Sequence, residues 1–134
     1  MEFLVNLDVD NLDKAIQFYE TSFGLTVGRR FGVSGAEMLG SSAPIYLLVK
    51  AEGTPAANAT AQRRTYERHW TPIHLDFVVE DIESAVRRAV SVGARLEEPV
   101  ATQKWGRLAL MADPFGNGFC FVQFLGRGYD EIAD

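Results

Sequence analysis

Cysteine is almost absent from this sequence, since Cys120 is the only one in 134 residues. A single cysteine excludes an internal disulfide and is typical of a reducing compartment, so we expect the protein in the cytoplasm. The chain also lacks an apolar run of about 18 residues, which a membrane-spanning helix needs. Its first residues lack the basic and then apolar pattern of a signal peptide. We therefore expect no membrane partner.

Positive charge is in deficit, with 13 Lys and Arg against 18 Asp and Glu and a net charge of −5. Domains that bind nucleic acid usually carry a basic surface, so we expect no nucleic-acid partner. The hydrophobic fraction of 47% and the charged fraction of 23% are ordinary for a globular protein. A chain of this length is sufficient for one domain with a buried core.

The clearest pattern lies between residues 72 and 124. Leu75 and Phe77 alternate with His74 and Asp76, which predicts a strand with one apolar and one polar face. Apolar residues then recur with a helical period from residue 82 to residue 90. The turn sequence DPFGNG at residues 113–118 precedes an apolar run at 119–124. With strands near 95–99, 107–112 and 119–124, the pattern predicts a βαβββ module.

The start of the chain repeats this pattern. The segment LVNLDVDNLDKAI from Leu4 aligns without a gap to HLDFVVEDIESAV from His74, an offset of 70 residues (74 minus 4). We predict a single domain over residues 1–134, divided into a first βαβββ module at 1–50, a linker at 51–70, a second module at 71–127 and a tail at 128–134. A short helix is expected at 62–69.

Four segments together resemble the vicinal oxygen chelate superfamily of glyoxalases, extradiol dioxygenases, and fosfomycin- and bleomycin-resistance proteins. They are VDNLDKAIQFYETSFGL in the first module, and HLDFVVEDIESAV, WGR at 105–107 and DPFGN at 113–117 in the second. The resemblance implies an α+β fold in which two βαβββ modules form a curved mixed sheet around a cavity. It also implies a homodimer.

Metal-dependent members of this superfamily carry ligands on the first and last strand of each module. The matching positions here are Leu4, Tyr46, His74 and Cys120. Leu4 has no donor atom, and the unperturbed pKa of a tyrosine is about 10. His74 and Cys120 supply two donors, fewer than the three protein ligands usual in a catalytic zinc site. We therefore expect no metal and no other cofactor.

The residues that we predict to line one ligand cavity are Asn6, Tyr46, His74, Asp76, Trp105 and Cys120. The strand alternation places Asn6 and Asp76 opposite the faces that pack under the helices, and Trp105 stands in a flexible segment suited to a rim. Simpler roles are open for several of them. Cys120 fits a small core residue, His74 a hydrogen-bonded structural group, and Trp105 a cover for the core.

Three functions remain open from the sequence. The first, which we prefer, is a metal-free small-molecule-binding protein of the bleomycin-resistance type. The second is an enzyme of the lyase, isomerase or dioxygenase type that uses His74 as a metal ligand, or as a general base beside Asp76. The third is a structural or regulatory module whose cavity is vestigial.

Overall fold

Two strand–helix units appear where the repeat predicts them, with β1 starting at Val5 and its counterpart β5 starting at Leu75, 70 residues later. The structure is a computed structural model that describes all of residues 1–134. The chain divides into two compact units, Met1–Glu67 and Arg68–Asp134. Neither helix has the length and apolar character needed to cross a membrane.

The first unit contains β1 (Val5–Val9), α1 (Leu12–Phe23), β2 (Thr26–Arg30), β3 (Gly35–Leu39) and β4 (Ile45–Val49). The second contains β5 (Leu75–Val78), α2 (Ile82–Ser91), β6 (Arg95–Leu96), β7 (Ala101–Gln103), β8 (Gly106–Ala112) and β9 (Gly118–Phe124), followed by a short 3-10 helix (Gly128–Glu131). The mixed α+β class and the strand–helix–strands order predicted from the sequence are confirmed.

The two sheets share one topology. The strand order is β1-β4-β3-β2 in the first unit and β5-β9-β8-β6 in the second, where β7 also pairs with β8. In each sheet the first strand is parallel to the last one, and the other pairs are antiparallel. The second unit therefore has four strands after its helix, one more than the three that the sequence pattern predicted.

The helix starts are fixed by polar side chains. The side-chain oxygen of Asn11 accepts a hydrogen bond from the backbone N–H of Lys14 at 3.0 Å, and Asp81 does the same for Ser84 at 3.2 Å. These are N-cap bonds, which satisfy backbone donors that have no partner inside the helix. Gly24 ends α1 with φ of 67°, a left-handed conformation that favours glycine.

Each helix covers one face of its sheet. α1 packs on β3 and β4, and α2 on β9, β8 and β6. The side chains of the covered faces are mostly apolar and buried, and they include Val9, Ala36, Met38, Ile45 and Leu47 in the first unit and Ala109, Met111, Phe119 and Phe121 in the second. Because side chains alternate along a strand, the residues between them lie on the opposite side. We call that side the helix-distal face of each sheet.

Residues 62–69 form no helix, contrary to the prediction. The segment 51–67 instead folds back as a loop of the first unit. The backbones of Gly53 and Arg64 are hydrogen bonded at 2.9 Å, and the Arg64 guanidinium reaches Asp8 of β1 at 2.6 Å. The backbone N–H of Arg64 donates to the carbonyl of Thr54 at 2.8 Å, and its carbonyl accepts from Gly53, so these groups have partners without a helix.

Candidate functional site

A row of polar side chains crosses the helix-distal face of the first unit. The strand register pairs Asn6 of β1 with Tyr46 of β4, and Tyr46 in turn with Glu37 of β3. Residues paired across neighbouring strands lie on one face with their side chains in reach of each other. The sequence predicted Asn6 and Tyr46 on this face, whereas Glu37 was not recognised.

Glu37 is buried, with 6% of its surface exposed, and Arg29 neutralises it. The guanidinium of Arg29 donates from Nε to Oε2 at 3.0 Å and from Nη2 to Oε1 at 2.5 Å. The backbone N–H of Arg29 also donates to Oε2, at 3.1 Å. These hydrogen bonds, with one from Tyr46, lower the pKa of Glu37 to about 2, so the carboxylate is charged at neutral pH.

Glycine at position 28 makes this arrangement possible. A Cβ on Gly28 would stand 2.6 Å from Oε2 of Glu37 and 2.8 Å from a methyl group of Leu39. The pairing of β2 with β3 is also irregular between Val27 and Arg30. The missing side chain and the local irregularity let the backbone N–H of Arg29 approach the carboxylate.

Tyr46 is committed to the same network. Its hydroxyl donates to Oε1 of Glu37 at 2.8 Å and accepts from Nη2 of Arg29 at 2.9 Å. The hydrogen bond to Glu37, followed by burial, raises the pKa of Tyr46 above its ordinary value of 10.0. A tyrosine is a metal ligand only as the phenolate, and here the phenol is held protonated.

In the second unit, three potential ligands meet on the helix-distal face. The register pairs Asp76 of β5 with Cys120 of β9, as it pairs Asn6 with Tyr46 in the first unit. Nε2 of His74 lies 3.2 Å from Oδ1 of Asp76. The donor atoms of His74, Asp76 and Cys120 all lie within 4.8 Å of one another. The structure thus brings together the three candidates that the sequence placed in this module's first and last strands.

Cys120 is held as a neutral thiol. The residue is 3% exposed, and burial, reinforced by the charge of Asp76, raises the pKa of its thiol to about 12. A thiol binds metals and attacks electrophiles as the thiolate. At neutral pH this cysteine is therefore a weak hydrogen-bonding group rather than a nucleophile.

The four-ligand metal site implied by the family resemblance does not fit these residues. In the first unit, Leu4 has no donor atom and the hydroxyl of Tyr46 is occupied by Glu37 and Arg29. The second unit supplies His74 and Asp76 as ready donors, and Cys120 only after losing a strongly held proton. The sequence analysis counted only His74 and Cys120 as possible metal ligands, and the structure adds the carboxylate of Asp76.

A small cavity of about 70 Å³ adjoins His74. Its lining consists of Arg68, Trp70, Thr71, His74, Leu110 and Gly118. The guanidinium of Arg68 is paired with Glu97 at 2.8 Å and lies 3.6 Å from the centre of the Trp70 ring. A Cβ on Gly118 would approach that guanidinium to 2.5 Å, so the glycine lets this segment lie close against β9. The space accommodates a few water molecules or a small substituent.

Trp105 is not part of this cluster. Its ring contacts those of Tyr129 and Phe124, at centroid distances of 5.0 and 6.3 Å. It precedes Gly106, which pairs with Phe124 at one end of the β8–β9 hairpin, whereas His74 lies near Gly118 at the other end. A seven-residue strand is about 20 Å long, and this length separates the tryptophan from the histidine.

Asp113 and Arg107, in the turn at 113–118 and in the segment WGR, have structural partners. Oδ1 of Asp113 accepts hydrogen bonds from the backbone N–H groups of Phe115 and Asn117 at 2.8 and 2.9 Å, so this buried carboxylate shapes the turn. Arg107 pairs with Glu83 at the start of α2. Neither interaction points to a ligand.

Glu37 and Arg29 are the polar groups that sequence reasoning missed. Glu37 stands between the apolar residues Ala36 and Met38, and a lone charge within an apolar strand is a signal that it needs a buried partner. The identity of the partner depends on the pairing of β2 with β3, and no local pattern reveals that pairing.

Comparison with known proteins identifies relatives of this chain. A family model described as the glyoxalase-like domain matches residues 4–122. The chain is 33% identical over 136 residues to the anthracycline biosynthesis protein DauV of Streptomyces sp. (strain C5), a match covering 97% of this chain and 43% of that protein. It is 30% identical over 131 residues to the anthracycline biosynthesis protein DnrV of Streptomyces peucetius, covering 96% and 43%. The chain thus spans less than half the length of either relative.

Solved structures of similar fold include two with almost complete overlap. The genomically encoded fosfomycin resistance protein FosX from Listeria monocytogenes has a TM-score of 0.71 and 17% identity, covering 99% of this chain and 98% of that one. TioX from Micromonospora sp. ML1 has a TM-score of 0.69 and 19% identity, covering 93% and 99%. At such identities the likeness shows the fold alone.

Proposed function

The chain belongs to the glyoxalase-like domain family of the vicinal oxygen chelate superfamily, and we propose that it is a metal-free small-molecule-binding protein. One observation carries the proposal: Tyr46, at a ligand position of metal-dependent relatives, is hydrogen bonded to Glu37 and Arg29. A metal would have to break that network and extract a phenolic proton. A neutral organic or anionic ligand can bind beside the network without disturbing it.

The helix-distal faces carry the groups that we assign to ligand contact. They are Asn6 and Tyr46 in the first unit, and His74, Asp76 and Cys120 in the second. Small-molecule sites combine apolar walls with a few placed polar groups, which is the composition of these faces. Trp105 is left out of the assignment because its ring is engaged by Phe124 and Tyr129.

The class of ligand that we propose is a flat aromatic compound. Two relatives are named anthracycline biosynthesis proteins, and anthracyclines have a planar fused-ring core. In this chain the rings of Phe31 and Tyr46 are nearly parallel, at 21° and a centroid distance of 6.2 Å. Aromatic rings add roughly 1 kcal/mol of pairing beyond their buried area, so a ligand ring that stacked on Phe31 would gain a similar amount.

The test is a thermal-shift screen of aromatic carboxylates, quinones and polycyclic phenols. At least one compound should raise the Tm of the wild type, and it should raise the Tm less in Phe31→Ala if it binds the first unit or in His74→Ala if it binds the second. Arg88→Ala, on the exposed side of α2, should behave as the wild type. Elemental analysis should find well under one equivalent of zinc, iron, manganese or nickel, and a chelator should leave the Tm unchanged.

Two outcomes would contradict the proposal. A stoichiometric metal bound to His74 would show that the protein is metal-dependent. A wild type stabilised by no compound of the screen would remove the support for aromatic ligands. If His74→Ala fails to fold, the histidine is a structural group, and the thermal-shift screen is repeated with Asp76→Asn in its place.

A second candidate is an enzyme of the same superfamily, of the lyase, isomerase or dioxygenase type, and the geometry of His74 favours it. A carboxylate 3.2 Å from Nε2 orients the imidazole and leaves Nδ1 to accept a proton. His74 is half exposed and adjoins a cavity, as a general base requires. Turnover of a bound compound that Asp76→Asn abolishes while binding persists would establish this alternative.

We also propose that the protein is a cytoplasmic homodimer. The single buried cysteine supports a reducing compartment. Trp70 is 70% exposed and Phe124 39% exposed, and large apolar side chains in such positions are typical of contact surfaces. No nucleic-acid or membrane partner is proposed for this acidic chain.

A further inference from the structure

The Arg29 side chain is fixed on three of its donor hydrogens. Nε and one hydrogen of Nη2 bind Glu37, and the other hydrogen of Nη2 binds the hydroxyl of Tyr46. A guanidinium offers five N–H donors in a rigid plane. The two donors of Nη1 remain, and they have no partner in the chain. Their direction is set because the rest of the plane is immobilised.

The two members of the ion pair differ in burial, and this difference leaves a positive charge on the exposed edge of Arg29. The Glu37 side chain is 8% exposed, whereas that of Arg29 is 68% exposed. The negative member is thus buried and the positive member faces outward. Asp8, the other acidic residue on this face, is bonded to Arg64 at 2.6 Å and does not neutralise Arg29. The outward edge therefore favours an anion.

An aromatic surface lies next to this edge. Tyr46 accepts the hydrogen bond from Arg29 and stacks on Phe31, a residue that is 43% exposed. Asn6 adjoins Tyr46 in the same row and is also exposed. A cationic edge beside an exposed ring fits a molecule that carries an acidic oxygen on an aromatic ring.

We infer that Arg29 is the anion-binding group of the first unit, and that Nη1 takes a carboxylate or an acidic phenol oxygen of an aromatic ligand whose ring packs on Phe31. This inference rests on the proposed function and narrows its ligand class from aromatic compounds to aromatic acids. Glu37 acts as a positioning residue, because it holds the guanidinium in place without facing the ligand itself.

A structural ion pair would account for part of this arrangement but not for all of it. A pair that served only the fold makes no use of the two Nη1 donors of Arg29 or of the exposed Phe31 ring beside them. If Arg29 binds anions, the protein should bind an aromatic acid more tightly than its neutral analogue. If the ion pair is only structural, the two affinities should be equal.

The experiment compares naphthoate with naphthamide, which share the ring system and differ in charge. Their naphthalene fluorescence anisotropy reports binding to the full chain. The wild type should bind naphthoate about tenfold more tightly than naphthamide, since a charge-assisted hydrogen bond adds that much. The preference should decline as salt is raised, because an exposed charge is screened.

Three variants locate the effect. Arg29→Lys keeps the charge beside Glu37 and removes the Nη1 edge, so it should lose the preference. The double variant Arg29→Gln with Glu37→Gln removes both charges without leaving a buried carboxylate unpaired, and it should also bind both probes alike. Arg30→Gln is the matched control: Arg30 is the neighbouring arginine, paired with Asp13 at 3.4 Å, and its loss should leave the preference intact.

The outcomes separate this inference from the proposed function. If the wild type binds both probes equally, the protein binds aromatic compounds but Arg29 selects no anion, and the inference is wrong while the proposed function stands. If the preference survives in the double variant, another cation selects the acid, and the inference is again wrong. If the wild type binds neither probe, the inference fails and the proposed function loses its support from this ring system.

Discussion

Tyr46 and Cys120, at equivalent positions of the two sheets, are both held in their protonated, uncharged forms, but for different reasons. Tyr46 pairs with Asn6 on β1, and Cys120 pairs with Asp76 on β5. The Tyr46 phenol keeps its proton because a hydrogen-bonded carboxylate stands beside it. The Cys120 thiol keeps its proton mainly because it is buried. Each environment disfavours the anion, so neither position supplies an anionic metal ligand at neutral pH.

Acid titration should reveal the Glu37 network. The pKa of Glu37 is lowered from 4.5 to about 2, so its contribution to the free energy of unfolding is present above about pH 4.5 and is lost as the pH falls towards 2. Glu37→Gln has no carboxyl group to protonate. The stability difference between the wild type and this variant should therefore narrow from about pH 5 to about pH 2, as measured by urea unfolding at each pH.

Asp13→Asn, which alters an exposed carboxylate of α1, is the control for general effects of charge. A difference between the wild type and Glu37→Gln that stays constant across the acid range would show that Glu37 is not held by Arg29 in solution.

At the scale of elements, two irregular segments, the C-terminal tail and the loop at 51–67, are held in place by side-chain contacts. The 3-10 helix Gly128–Glu131 contains Tyr129, whose ring contacts Trp105 and, at 4.8 Å, Phe124. The loop at 51–67 is tied to β1 through Arg64 and Asp8. These irregular segments are positioned by a few specific contacts and not by a continuous hydrogen-bonded ladder, which makes each of them open to local release.

Trp105→Ala should release the tail. Removing its ring takes away an aromatic contact of Tyr129, a loss of roughly 1 kcal/mol beyond the buried area. The tail beyond Leu125 should then be cleaved faster in limited proteolysis, with mass spectrometry identifying the site. The control is Arg88→Ala, on the exposed side of α2. Equal cleavage of the tail in the wild type and in Trp105→Ala would contradict the docking role.

At the scale of the whole molecule, one topology is used twice with different chemistry on its helix-distal face. The first unit has a charged network around Glu37, and the second has the cluster of His74, Asp76 and Cys120. The equivalent of Glu37 in the second sheet is Leu110, which pairs with Cys120 as Glu37 pairs with Tyr46. The repeat therefore fixes positions in the fold and leaves the functional groups free to differ.

Sedimentation equilibrium at micromolar concentration should show a homodimer, with twice the chain mass of 14.8 kDa. Burial of Trp70 in the contact would make Trp70→Ala dissociate at lower concentration than the wild type. Arg88→Ala serves as the surface control. A single species near 14.8 kDa would contradict the homodimer.

The sequence by itself determined the parts of this protein that depend on local order. The alternation of Leu75 and Phe77 with Asp76 follows from the two-residue period of a strand, and the apolar residues at 82–90 follow the 3.6-residue period of a helix. The offset of 70 residues between the modules comes from aligning the chain with itself. Those features predicted the strand–helix pattern, and they placed Asn6, His74 and Asp76 opposite the helix-covered faces.

The tertiary structure decided which distant residues meet. Arg29 reaches Glu37 and Tyr46 because β2, β3 and β4 pair in one particular register. The distance between Trp105 and His74 likewise depends on the pairing of β8 with β9 along their full length, which places the two residues at opposite ends of the hairpin. A shift of one residue in either pairing would turn these side chains to the opposite face. Such registers are set by contacts between segments far apart in sequence, and no local period encodes them.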